Sequence, residues 1–219
     1  MEIAETVESP KERGQLHYIW HLVARNPLFV IGLFIVALLL FSAFFAPYFT
    51  PYPEDATFGI NFAAKLKPPS FKHLFGADAL GRDIFTRVVF GARMSLKIGI
   101  IVVFVSMSIG IPLGLIAGFF GGKVDEIIMR VTDMFLAFPP LLLPISIAAA
   151  LGTSIVNTMI AIAISWFPWY VRLIRAQVLT VKEELYVESA RSIGVGRITI
   201  MTRHIFPNVL SPVVIQASM

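Results

Sequence analysis

Long runs without charge alternate along the chain with shorter mixed segments, and run length decides what each can be. A helix crossing about 30 Å of hydrocarbon needs about 20 mostly apolar residues. Residues 26–53 carry no charged side chain, and residues 28–49 hold 15 Leu, Ile, Val or Phe. At about −0.3 to −0.6 kcal/mol each, these contribute at most roughly −4.5 to −9 kcal/mol, more than a buried arginine at about +3 kcal/mol would cancel. A first transmembrane helix over residues 27–50 follows. A second run covers 98–122, and a third covers 134–171, long enough for two helices. The turn signal Leu151-Gly152-Thr153-Ser154 divides the third run into spans of about 134–151 and 154–172. After a polar segment, 172–203, a last apolar run from Ile205 to Met219 is too short to cross. Between the first two runs, residues 77–96 place Leu80, Ile84, Val88 and Gly91 on one face at helical spacing. An interfacial amphipathic helix is predicted there, its Arg82, Arg87, Arg93 and Lys97 snorkelling towards headgroups.

Composition agrees with the runs. Of 219 residues, 57% are hydrophobic and 15% charged, against about 45–50% and about 25% in soluble domains. With a mean hydropathy of +0.79, this excludes an ordinary soluble enzyme and a disordered chain. The absence of cysteine removes disulfides, thiolate-held zinc and thiolate catalysis. A net charge of +4 does not indicate nucleic acid, because no Lys/Arg run forms a basic patch; in a membrane chain such charges belong first to cytoplasmic loops. With residues 1–26 inside, the inner segments 1–27, 122–133 and 172–204 hold eleven Lys and Arg, and the outer segment 50–97 holds seven. That bias predicts a multi-pass membrane protein with a cytoplasmic N-terminal segment. Four Glu precede an apolar core too long for a signal peptide, and Ser42-Ala43-Phe44 offers no small-x-small cleavage pattern, so the first helix reads as a retained anchor.

Candidate chemistry is sparse. Gly110, Gly114, Gly118 and Gly122 recur every four residues, a stripe that lets another backbone approach closely. Pro112, Pro139, Pro140, Pro144 and Pro168 lie inside spans, where each removes a backbone donor; kinked helices lining a cavity and a static bent bundle both fit. Ser146, Asn157, Thr158 and Ser165 fit either a pathway or hydrogen bonds between helices. No ionisable group lies deep in a span, which argues against ion-coupled transport. His17, His21, His73 and His204 show no paired spacing, so no metal site or catalytic cluster is expected. A phosphate loop ending at Lys123 fails because Ala117 stands for the first glycine and Val124 for the hydroxyl residue, so neither ATP nor any other cofactor is expected to bind.

The polar segment 178–196 is the informative one. Leu179, Tyr186, Ala190 and Ile193 fall on one helical face, and Gly194 is placed to end the helix. This predicts a short helix with an apolar stripe on the water side of the membrane, then a second helix entering near Pro207. The stripe would pack on this chain or on a partner; an ordinary amphipathic loop with weak pairs among Glu184, Glu188 and Arg191 is the other reading.

These residues also carry a resemblance. Glu188-Ser189-Ala190, three residues, Gly194, nine residues, then His204-Ile205-Phe206-Pro207 resembles the EAA loop of binding-protein-dependent ABC importer permeases, with Ser189, His204 and Phe206 replacing Ala, Ile and Leu. Arg25-Asn26-Pro27-Leu28, Leu74-Phe75-Gly76-Ala77-Asp78, Gly91-Ala92-Arg93-Met94, Met129-Arg130-Val131-Thr132-Asp133 and Arg172 to Gln177 are similar to the C-type permease subunit of dipeptide, oligopeptide and nickel importers. The resemblance implies an all-α polytopic bundle with the type I ABC importer permease fold: a cytoplasmic segment 1–26, the first span, an extracytoplasmic loop 51–96 and a transmembrane domain 97–219 containing a coupling loop 173–207. It implies an ATP-driven importer of peptides or a related small solute, nickel included. Its partners would be a homologous B-type permease, two ABC ATPases and an extracytoplasmic binding protein, within the lipid bilayer and without nucleic acid. The permease itself would not be an enzyme. Tyr186, Glu188, Ser189, Ala190, Arg191, Gly194 and Pro207 would form the ATPase-coupling loop. The family continues for about two spans beyond this loop, so the C-terminal spans are expected to be missing, which leaves a scaffold or a non-functional truncated permease as the alternative.

Overall fold

The computed structural model describes residues 27–57 and 59–218, so the predicted cytoplasmic segment 1–26 lies outside the described residues. Among the described residues the α-helices are α1 (Pro27–Phe49), α2 (Ile84–Phe120), α3 (Gly122–Leu136), α4 (Leu142–Leu151), α5 (Ile155–Val181), α6 (Leu185–Ser192) and α7 (Arg197–Ala217). An isolated bridge between Ala77 and Asp83 is their only β pairing. α1, α2, α5 and α7 are long and apolar enough to cross a membrane. Two compact units divide at Leu96 and Lys97.

In the first unit, α1 exposes nearly every side chain and buries only Ala43 and Ala46, as expected of a helix facing lipid. The loop that follows is tied by backbone bonds between distant residues, such as Asn61 N–H to Leu80 O at 2.9 Å and Ala77 N–H to Lys67 O at 3.0 Å. Its centre is Asp83, fully buried, which accepts from Thr86 N–H at 2.8 Å and pairs with His73 Nδ1 at 3.0 Å. The first of these bonds caps α2, because it satisfies an N–H that the first helical turn leaves without a partner. Asp83 N–H donates to the buried Asp55 carboxylate at 2.9 Å, and the His73 ring stacks on Tyr52. The predicted amphipathic helix from residue 77 is corrected by this cap. Helix starts only at Ile84, Leu80 lies in the preceding turn, and Arg82 and Arg87 bind Asp78 instead of reaching for headgroups.

In the second unit, α5 packs along α2 with matched pairs at 110 and 170, 114 and 174, and 118 and 178, so the two helices run parallel. The chain must therefore return between them, and it does so through α3 and α4. The expected single span over 134–151 is replaced by the end of α3, a turn at 137–141 and the ten-residue α4. Pro139 and Pro140 are the cause. Neither can donate a hydrogen bond, and each restricts the residue before it, so the helix stops and restarts where Leu142 N–H reaches Pro139 O at 3.0 Å. The run from Ile205, expected to be too short to cross, is the end of a 21-residue helix that begins at Arg197. The core gathers Leu115, Tyr170, Ile174, Val178, Val187, Ile200, Ile205, Val209 and Val213 from α2, α5, α6 and α7.

Candidate functional site

The candidate site is α6 with its flanking turns. Ile193 closes the helix, and Gly194 follows at φ +82°. Gly194 N–H donates to Arg191 O at 3.0 Å and Val195 N–H to Ala190 O at 3.1 Å. This pair of bonds satisfies carbonyls that the last turn cannot pair, and it needs a left-handed residue where a side chain would be strained. Val195 then packs against the same core as Ala190, fixing the direction in which the chain leaves.

α6 has two faces of different fate. Val187 and Ala190 are buried in the core with Val178 and Ile200, while Leu185 and Ile193 are 78% and 81% exposed. The expected stripe of Leu179, Tyr186, Ala190 and Ile193 is therefore divided, packing on this chain at one point and exposed at another. Ala190 faces this chain's own core, and the outward surface consists of Leu185, Ile193 and the exposed Glu188, Ser189 and Arg191. Tyr186 is half exposed, and its hydroxyl donates to His204 O at 3.4 Å. Partial burial and the nearby Glu184 carboxylate push its phenol up, so it remains a donor.

His204 lies in a π-helical stretch of α7, Ile200–Ile205, just before the exposed Pro207. Pro207 has no N–H to give the carbonyl four residues earlier, and the wider turn is the local answer: Phe206 N–H bonds to Met201 O. The side chain of Asn208 donates to His204 O at 2.7 Å. The residues expected to form a coupling loop are thus divided between α6, its closing turn and the start of the helix after this widened turn.

α5, which leads into α6, is anchored to α3 by charge. Arg175 donates Nε and Nη2 to Asp125 at 2.5 and 2.7 Å, and Arg172 reaches Asp133 at 2.6 Å. The Arg175 guanidinium holds the Asp125 carboxyl below its usual range, with burial opposing. Sequence reasoning missed both pairs, although Asp133 and Arg172 each belong to a segment singled out above.

The glycine stripe lies at the α2–α5 contact. A Cβ on Gly110 would stand 2.5 Å from Tyr170 Cβ, one on Gly114 would stand 2.7 Å from Ile174 Cβ, and one on Gly118 would stand 2.8 Å from Val178 Cβ. Gly122 does not belong with them. It opens α3 at φ +56° after Gly121 at φ +65°, and a Cβ there would meet no atom within 4 Å. Two successive left-handed residues end α2, so the spacing continues in sequence but not in space.

The family models decide what kind of molecule this is. Residues 110–219 match the family described as binding-protein-dependent transport system inner membrane component, and residues 14–69 match the N-terminal TM domain of oligopeptide transport permease C. The chain belongs to this permease family. It is 41% identical over 224 residues to the probable D,D-dipeptide transport system permease protein of Escherichia coli K12, covering 100% of this chain and 74% of that protein. It is 42% identical over 195 residues to the dipeptide transport system permease protein of Alkalihalophilus pseudofirmus, covering 89% and 63%. A glutathione transport system permease protein of Pectobacterium atrosepticum is 42% identical over 200 residues, covering 91% and 66%. The chain therefore spans between 63% and 74% of the length of these relatives.

As a member of this family the permease is a multi-pass inner-membrane transport component and not an enzyme. The polar residues in its later spans serve local backbone. Ser146, Thr158 and Ser165 each donate to the carbonyl four residues earlier, and Asn157 closes the α4–α5 turn through Leu151 O and Gly152 O. Beside Ser165, the rings of Phe135, Phe138, Trp166 and Trp169 surround a hollow of about 300 Å³ in the permease.

Proposed function

We propose that the chain is the permease subunit of an ATP-driven ABC importer for peptides or a related small solute, and that it couples the translocation pathway to separate ATPase subunits through α6. The observation that carries this reading is the pair Leu185 and Ile193, exposed on a short helix whose opposite face, Val187 and Ala190, is fixed in the core. An exposed apolar surface on a rigid base suits a partner's groove, and a displacement imposed there would pass into α5 and α7 through packed side chains. The relatives' names, dipeptide and glutathione permeases, favour a peptide over nickel as solute. The C-type resemblance adds a homologous B-type permease, two ATPases and an extracytoplasmic binding protein as partners. The residue 1–26 segment and α6 would then share the cytoplasmic side.

Cross-linking tests this. A Ser189→Cys variant, in cells expressing the whole transport system, is expected to capture an ATPase subunit, and Gly194→Asp or Glu188→Lys is expected to weaken that capture and abolish uptake together. Capture of membrane proteins alone would overturn the coupling role and favour a scaffold.

A further inference from the structure

The break between α3 and α4 lies level with the middle of a spanning helix. Helix α5 is long and apolar enough to cross a membrane, and Ser165 to Trp169 begin ten residues after its first residue and end twelve before its last. At about 1.5 Å per residue that stretch is at least about 15 Å from either end, half of a hydrocarbon layer of about 30 Å. The Phe135 ring, near the end of α3, meets the Phe167 ring of α5 at 5.1 Å between centroids, which brings the turn at 137–141 to the same depth. Lipid offers nothing to freed backbone groups, so a helix is broken at that depth inside protein or beside a polar cavity. The freed group here is Leu136 O. Pro140, four residues on, has no N–H for it, and no other donor among the described residues replaces it.

The hollow of about 300 Å³ adjoins this break, at the lower end of the range of about 300–1,000 Å³ for small-ligand sites. Phe138, Pro140, Trp166 and Trp169 give it apolar walls, and Gln216 of α7 brings a side-chain amide. No Asp, Glu, Lys or Arg lines it. The charges nearest in sequence to Phe135 and Trp169, on Asp133 and Arg172, hold one another at 2.6 Å. The Gln216 amide and the indole N–H groups of Trp166 and Trp169 have no hydrogen-bond partner among the described residues. An acyl chain would fill the walls and leave these polar groups unpaired. A short peptide meets both needs, because a ring stacks on the walls while its amide groups offer N–H and C=O to the polar atoms. We propose that this hollow is a side-chain subsite of the translocation pathway, taking an uncharged aromatic residue of a short peptide and disfavouring a charged one. The proposal rests on the reading of the chain as the permease of a peptide importer.

The test uses cells expressing the whole transport system and two peptides, alanyl-phenylalanine and alanyl-alanine. Trp169→Ala is expected to lower uptake of the first at least about fivefold more than uptake of the second, and Trp169→Phe, which keeps a ring, to recover most of that ratio. The rest of the system is the same in each assay, so a change in the ratio belongs to the permease. Trp166→Ala is the second variant should Trp169→Ala fail to insert. During uptake, photoreactive alanyl-benzoylphenylalanine should label residues 135–143 and 165–169. An equal loss for both peptides, or a loss for neither, would overturn the subsite while leaving transport standing. Labelling confined to other segments would overturn it too, as expected if a partner subunit's side chain fills the hollow. So would labelling undiminished by excess alanyl-phenylalanine, as expected if the walls take any apolar molecule. Uptake of neither peptide by the unsubstituted system would instead overturn the transport reading, and the subsite with it.

Discussion

In residues 50–83 buried and half-buried carboxylates organise the backbone, whereas between α2 and α5 the organising feature is the absence of side chains. Asp55 and Asp78 collect N–H groups from residues that have no regular structure to pair them, and Asp83 takes one left open in the first turn of α2. Around Gly110, Gly114 and Gly118 the backbone is paired within its own helix, so close approach gains only dispersion contacts. Irregular backbone needs directional partners for its N–H groups, and it has tight spots of its own, since a Cβ on Gly81 would stand 1.7 Å from Asn61 O. A helix seam needs no such partners: it is indifferent to charge, and along its whole stripe it is intolerant of a single added carbon.

The contrast breaks most visibly at the seam. Gly114→Leu puts a branched side chain where even Cβ would meet Ile174 and the Val171 carbonyl below 3 Å. A loss of about 3 kcal/mol is expected, read as unfolding in detergent at lower denaturant. Gly32→Ala in α1, where no atom lies within 4 Å, should change stability by less than about 0.5 kcal/mol in the same measurement. In the loop, Asp83→Ala leaves Thr86 N–H and the His73 ring without their acceptor and should cost about 2 kcal/mol. Faster proteolysis within residues 51–83, with the α2–α5 seam unfolding as before, is the expected signature.

A more modest effect than loss of Asp83 is set by pH. Burial opposes ionisation of Asp78, but the N–H groups of Arg82 and Leu80 and the guanidinium groups of Arg82 and Arg87 outweigh it, holding its carboxyl at about 2 instead of 3.8. A depressed folded-state value means that the contribution is complete above about pH 4 and lost as pH falls through 2. Allowing for partial exposure, it amounts to about 1–2 kcal/mol. Amide exchange at Leu80 and Arg82 should accelerate over that window, and Asp78→Asn should remove the dependence.

The sequence pattern reveals what depends on local composition. α1 follows from its uncharged run, the turn after α6 from Gly194, and the close contact of α2 from glycine spacing. It fails where the outcome depends on distant residues or competing signals. Asp83 is 10 residues from His73 and 28 from Asp55, and no local spacing announces such a cluster. The apolar content of residues 134–151 outweighed Pro139 and Pro140, although two missing donors decide the local structure. At α7, Arg197, Arg203 and His204 hid a helix whose apolar part begins only at its third turn. At α6, periodicity shows that two faces exist, but the inward one is chosen by Val178 and Ile200, which belong to other helices.

The stripe on α2 has a further property. Teeth spaced every four residues on α2 meet sockets spaced every four residues on α5, and such a rack would mesh equally well after sliding by one tooth, about 6 Å. Ser106 occupies the tooth before the three glycines, and its hydroxyl donates to Ala163 O at 3.1 Å in a site almost closed to solvent. At the other end, the paired left-handed glycines stop the rack. One hydroxyl and one stop thus set the alignment of two helices that shape alone would leave free to shift by a tooth.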